Sequence, residues 1–196
     1  MKYAGFWRRA ASLFIDGLLV APLIALEWFL FGVSPGVAIA SVVLIGILWS
    51  LYPIYFHGRW GQTVGKMAAK IKVVQVDGSP ITPRHAVVRN SVDLVMWSIY
   101  VVGTVLVLAT WDGPDWSSLG LLEQRRLVNE GTPFFGAYDV ISQAWFWSEV
   151  LVLLFNKKRR ALHDFIAGTV VVRVAQDEVH GLVVPRPVID SESANP

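Results

Sequence analysis

Four apolar stretches, each about as long as a bilayer is thick, decide what this chain can fold into. They cover residues 10–33, 37–56, 88–111 and 137–155. A helix needs roughly 20 mainly apolar residues to cross hydrocarbon. A backbone in lipid must satisfy its own hydrogen bonds, and a helix does so within one segment. The fourth stretch is the weakest, because Asp139, Gln143 and Glu149 interrupt it. Only 16% of residues are charged, against about 25% in a soluble domain, so the excess apolar surface needs a nonpolar solvent. Nine tryptophans and five tyrosines suit the membrane–water boundary. The first stretch contains Asp16, runs past the usual signal length and lacks an A-x-A-like site, so it reads as a span rather than a signal peptide.

Orientation follows from the bases. The amino terminus, residues 57–90 and everything after Asn156 hold 15 of the 17 Lys and Arg, whereas the 112–136 loop holds only Arg125 and Arg126. That asymmetry predicts both termini and the middle loop in the cytoplasm, and an even number of crossings. It also accounts for a pI near 9.0 without nucleic acid. The chain has no cysteine, which excludes disulfides, thiolate metal sites and a cysteine nucleophile.

Between the spans, Ser34, Pro35 and Gly36 mark a tight turn. Thr82 as N-cap and Pro83 at the first helical position start the third helix early. Residues 67–72 mix apolar and lysine residues as an interfacial helix does, and residues 117–129 suit a short amphipathic helix on the outer surface. IKVVQV (71–76) reads as a strand ending in an Asp77-Gly78 turn. Residues 169–174 form a second β-branched run expected near the first. The fold expected is an all-α membrane protein: a four-helix transmembrane bundle with a small cytoplasmic β-hairpin-like element over 1–174, then a polar tail over 175–196.

Charges inside spans are costly, about 2.5–3.5 kcal/mol each on insertion scales, so each needs a partner or a role. Arg9 and Asp16 are seven residues apart and Glu27 eleven further, which puts all three on one stripe within roughly 20°. That stripe must face other helices or water. Two roles suit it: buried ion pairs that fix packing, or proton or cation movement. Glu149 lies at a depth like that of Asp16, so the two carboxylates would share a proton or cation if their helices touch. Glu27 and Asp139 would extend an acidic ladder outward, although Asp139 also suits a helix start. Arg89 and Asp93 are spaced i, i+4 as a pair on one helix face.

Two motifs mislead. Gly61-Gln-Thr-Val-Gly65-Lys66 is one residue short of a phosphate loop, with Met67 where Ser or Thr should hold magnesium. It reads instead as a turn at Gly61, close packing at Gly65, and Lys66 facing lipid phosphates with Arg59 and Lys70 beside the Trp60 anchor. His163-Asp164 has no serine or metal partner at useful spacing. His57, His85 and His180 show no ligand spacing. No cofactor, metal or catalytic set is indicated.

These residues resemble the RDD family of bacterial membrane proteins, named for one arginine and two aspartates. The likeness lies in YAGFWRRAASLFIDGLLV, in GQTVGKMAAKIKVVQVDGSPIT and in RRALHDFIAGTVVV, together spanning positions 3–172. It implies a compact helical membrane domain in which Arg9, Asp16 and Asp164 are the named residues. Arg8 is the other candidate arginine, and the seven-residue spacing selects Arg9. It further implies that Arg9 bridges Asp16 and Asp164, so that charge reversal at Arg9 is partly rescued by reversal at one aspartate. Members linked to sodium/proton antiport offer a transport reading. The long 112–136 loop and Glu149 depart from simpler members.

The function expected is a structural, accessory or assembly-type membrane component with a buried Arg–Asp network. A small cation/proton antiporter is the alternative, and an enzyme is not expected. The bilayer is the expected partner, together with a second copy or another membrane protein.

Overall fold

The computed structural model describes residues 1–174; the tail expected over 175–196 lies outside them. Helix α1 (Phe6–Phe31) and helix α2 (Pro35–Trp60) are 26 residues each, about 39 Å long. Ser34 starts α2 by accepting a hydrogen bond from the Val37 N–H at 3.3 Å, with Pro35 next. Gly61 ends it at φ 71°, a left-handed conformation natural to glycine. Then come α3 (Val64–Ala68), β1 (Ile71–Gln75), α4 (Pro83–Arg89) and α5 (Ser91–Leu108). A 3-10 turn (Trp116–Ser118) leads into α6 (Leu121–Gly131). The chain closes with α7 (Phe135–Phe155), α8 (Leu162–Ile166) and β2 (Thr169–Arg173).

The molecule is mainly helical, and among the described residues three helices, α1, α2 and α5, are long and apolar enough to cross a membrane. Their outer faces expose large apolar side chains such as Leu13, Phe14, Leu18, Leu44, Leu48 and Leu106. The 21-residue α7 is not among the three, as Asp139, Gln143 and Glu149 forewarned. Among the helices, α1 packs on α2 and α3, and α2 on α4 and α5, while α7 touches α5 more lightly.

Several local expectations change. The third apolar stretch is two helices, broken at Asn90 (φ −98°, ψ 6°). Thr82 does begin α4, its N–H donating to His85 Nδ1 at 3.3 Å. The interfacial helix expected over 67–72 lies earlier, at α3; Lys70 sits at φ 54° and turns the chain into β1. The strands are not a hairpin. β1 and β2 pair antiparallel from distant parts of the chain, with Val73 opposite Val171. Tyr3 bridges Val172 on the other edge of β2. Val73 and Val171 bury against Ala4, Ile71 and Ile81, so the sheet ties the amino terminus to the end of the domain.

The short amphipathic helix expected over 117–129 is present as α6 (Leu121–Gly131). The 112–136 segment folds over the α1–α2 turn. Trp116 Nε1 donates to Phe31 O at 2.9 Å, and Gln124 Nε2 donates to Trp116 O at 2.7 Å and to Gly32 O at 3.3 Å. Trp116 and Val128 join Phe31, Ala38, Val42, Leu108 and Phe135 in the apolar core at this end. Glu27 is held here: Arg125 Nη2 reaches its two oxygens at 2.9 and 2.8 Å, and the guanidinium stacks 3.9 Å from the Phe31 ring. Arg125→Met leaves Glu27 without its cation. It is expected to cost about 2 kcal/mol, read as a lower thermal midpoint in detergent and faster proteolysis of the cap. An unchanged midpoint and cleavage rate would contradict this.

Candidate functional site

The stripe Arg9–Asp16–Glu27 is the inward face of α1: Ser12, Asp16 and Val20 are buried along it while Leu13, Phe14, Leu18 and Leu19 are exposed. Its three charges meet three different sets of partners.

Asp16 is buried between α1, α2 and α3. Its Oδ1 accepts from the Tyr52 hydroxyl at 2.7 Å and the Gly65 N–H at 2.7 Å, and its Oδ2 accepts from the Thr63 hydroxyl at 2.6 Å. Thr63 Oγ1 also accepts from the Lys66 N–H at 3.3 Å, capping α3, and Tyr52 Oη accepts from the Val64 N–H at 3.0 Å. The segment that imitates a phosphate loop is therefore a carboxylate cradle. Gly65 is required by closeness: a Cβ there would lie 2.1 Å from Ser12 O and 2.7 Å from the Asp16 carboxyl carbon.

Asp164 is the hub of the sheet end and is fully buried. Oδ2 accepts from Arg9 Nη1 at 2.7 Å and from the Ala161 N–H at 3.0 Å. Oδ1 meets Arg89 Nη1 and accepts from the Thr169 hydroxyl at 3.3 Å. Arg9 Nη2 continues to Arg159 O at 2.6 Å, and Arg160 Nη2 donates to Asp164 O at 2.8 Å. Burial alone would push the Asp164 carboxyl up in pKa; Arg89 and Arg9 overcome this and hold it far below the usual carboxylate range. One carboxylate thus joins α1, α4, α8 and β2.

Glu149 joins the hub through His163. Its Oε1 accepts from the His163 N–H at 2.8 Å, and its Oε2 lies 2.5 Å from His163 Nδ1. His163 Nε2 faces Arg89 Nη2 at 2.6 Å. Arg89 can only donate, so Nε2 accepts and the ring proton belongs on Nδ1, toward Glu149. Burial, with the Arg89 charge next to it, pushes the imidazole pKa down, which keeps the ring neutral at pH 7.

The geometry corrects four readings. Arg9 bridges to Asp164 but does not pair with Asp16, whose oxygens are taken by Tyr52, Thr63 and Gly65. Arg89 turns to Asp164 instead of Asp93, because the helix breaks between them and Asp93 starts α5, exposed. Asp16 and Glu149 have separate partners, so no shared acidic site forms. Lys66 is half-buried beside Arg89, Asp16 and Arg9, where desolvation draws its pKa down to about 8; it faces the interior rather than lipid phosphates. Lys70 and Arg59 are exposed, as is Asp139. Tyr52, Thr63, Arg89, His163 and Arg125 were missed as partners. The one available signal was the Thr63 N-cap inside the misleading motif.

The arrangement defines a class: a helical domain with three bilayer-length apolar helices, tied at one end by a buried aspartate and two arginines. The sequence profile of the RDD family matches residues 3–168, and the chain belongs to that family. It is similar to the uncharacterized protein YckC of Bacillus subtilis (strain 168), at 24% identity over 179 residues, covering 90% of this chain and 89% of that one. No solved structure matches the chain. Family membership and the apolar helices together fit a membrane protein.

Proposed function

We propose that the chain is a four-crossing, non-catalytic component of the bacterial plasma membrane, structural or assembly-type, whose Arg–Asp network holds the helix ends together. One observation carries this reading: both Asp164 oxygens are taken up by two guanidiniums, an N–H and a hydroxyl, in a fully buried setting. A carboxylate held in this way is not available to take up and release a cation or proton. The Asp16 cradle is equally occupied.

Four crossings are supported by what α7 connects. It begins beside the outer cap, where Phe135 packs in the cluster with Leu108 and Trp116. It ends at the hub, where Glu149 meets His163. Its 21 residues cover about 32 Å, close to the hydrocarbon thickness. Its packing on α5 and its polar links to the hub offset its weak hydropathy. The bases near the sheet favour the cytoplasm for that end and for both termini. Arg59 and Lys70 serve there as headgroup contacts. The partner is a second copy or another membrane protein.

Purified protein in vesicles, under an imposed sodium or proton gradient, is expected to leave the gradient intact. Dissipation that Asp16→Asn abolishes while the protein stays folded would replace this reading with cation/proton exchange.

A further inference from the structure

At the sheet end, the first turn of α1 and the end of α7 enclose an open cavity of about 900 Å³. Lys2, Arg8, Arg159 and Arg173 supply its charge, and Trp7 and Leu154 its apolar wall. No acid lines it. Among the described residues, none of the four bases takes part in an ion pair. Arg8 uses one donor on Ala69 O at 3.2 Å, which leaves the rest of its fork unused by that bond. Arg159 is held in place. Its backbone is left-handed at φ 49°, its N–H donates to Asn156 O at 2.9 Å, and its carbonyl takes Arg9 Nη2. Its guanidinium lies against Gly5, where a Cβ would be only 3.1 Å from Nη1. Trp7 is 81% exposed and Phe155, just past Leu154, 85%. A site lined by guanidinium forks, with exposed apolar side chains beside them, matches a phosphate attached to acyl chains. Basic pockets between helices at the cytoplasmic boundary take anionic headgroups, and the volume suits one.

We propose that this cavity binds the phosphodiester headgroup of an anionic phospholipid from the surrounding bilayer. Trp7, Leu154 and Phe155 favour a lipid over free phosphate, because they provide surface that only acyl chains would use. The proposal rests on the chain being embedded in a bilayer, not on its accessory role, so a flux result and a lipid result are separable.

Native mass spectrometry of the full-length protein in detergent, titrated with phosphatidylglycerol or phosphatidylcholine, tests it. Phosphatidylglycerol is expected to be retained preferentially. Arg8→Gln with Arg159→Gln should weaken that retention about thirtyfold, two boundary charges' worth. Lys157→Gln with Lys158→Gln removes the same charge from exposed positions that do not line the cavity, and should stay within about threefold of wild type. Should the Arg8 and Arg159 pair fail to fold, Lys2→Gln with Arg173→Gln removes the other two lining charges and should weaken retention to a similar degree. Equal retention of the two lipids, or equal losses from the lining and Lys157/Lys158 pairs, would overturn the proposal. So would saturation by millimolar inorganic phosphate without a preference between lipids, since the ligand would then be soluble phosphate.

Discussion

Asp164→Ala is expected to cost about 3–5 kcal/mol, the usual result of removing one partner from a buried ion network. The loss comes less from missing attraction than from what remains. Arg89, whose side chain is 5% exposed, and Arg9, at 12%, are left facing each other without a counter-ion. The Ala161 N–H and the Thr169 hydroxyl also lose their acceptor. Asp164→Asn keeps the shape but not the charge, and should fall between alanine and wild type. Thermal unfolding in detergent orders the three proteins; alanine and wild type unfolding together would refute the hub. The pH dependence has a definite sign. The folded carboxyl lies far below its usual pKa, so its contribution is complete above the unfolded value, near 4. It is lost progressively as pH falls from that value through the depressed folded one. Acid from pH 7 to 5 should therefore leave this contribution intact. Reversing Arg9 and Asp164 together is not expected to rescue the fold, because Arg89 shares the aspartate and would then face an arginine. The simple two-partner swap expected from the family likeness should fail for that reason.

Gly65→Ala is the second large effect. The added methyl would sit 2.1 Å from Ser12 O, a backbone atom in the second turn of α1 that cannot rotate away. Helix α3 must retreat from α1. The Gly65 N–H then leaves Asp16 Oδ1, and the Thr63 hydroxyl, which donates to Asp16 from the cap of the same helix, is pulled with it. Overpacking of this kind costs about 3 kcal/mol, with loss of a buried hydrogen bond to a charged group added. The expected readout is a large drop in thermal midpoint, with hydrogen exchange rising through residues 61–70. Wild-type exchange in that segment would show that the contact is looser than the geometry states. Thr63→Val, which removes one donor without adding bulk in the contact, should cost less.

Much of the fold was legible because it depends on local chemistry. The apolar runs named α1, α2 and α5 as bilayer-length helices. Thr82-Pro83 marked a helix start, Gly61 a turn, and the β-branched runs at 71 and 169 became strands. The 3.6-residue period put Arg9, Asp16 and Glu27 on one face, and that face is the inner one. Each of these follows from residues within a few turns of one another.

Who meets whom was not legible. Arg89 looked like the partner of Asp93 because helical spacing assumes an unbroken helix, and the chain breaks at Asn90. Lys66 looked like a lipid contact because a lone lysine beside a tryptophan does not reveal that its segment is packed against α1. Arg125 reaches Glu27 across 98 residues, and Arg9 reaches Asp164 across 155. The sequence alone determined where the long apolar helices run, which end is basic, and that the charges on α1 needed shelter. The tertiary structure decided the partners: Asp164 for Arg9 and Arg89, the Tyr52–Thr63–Gly65 cradle for Asp16, and Arg125 for Glu27. A buried charge requires some counter-group, which is a local rule; which group supplies it depends on how the helices cross, and no local pattern records that.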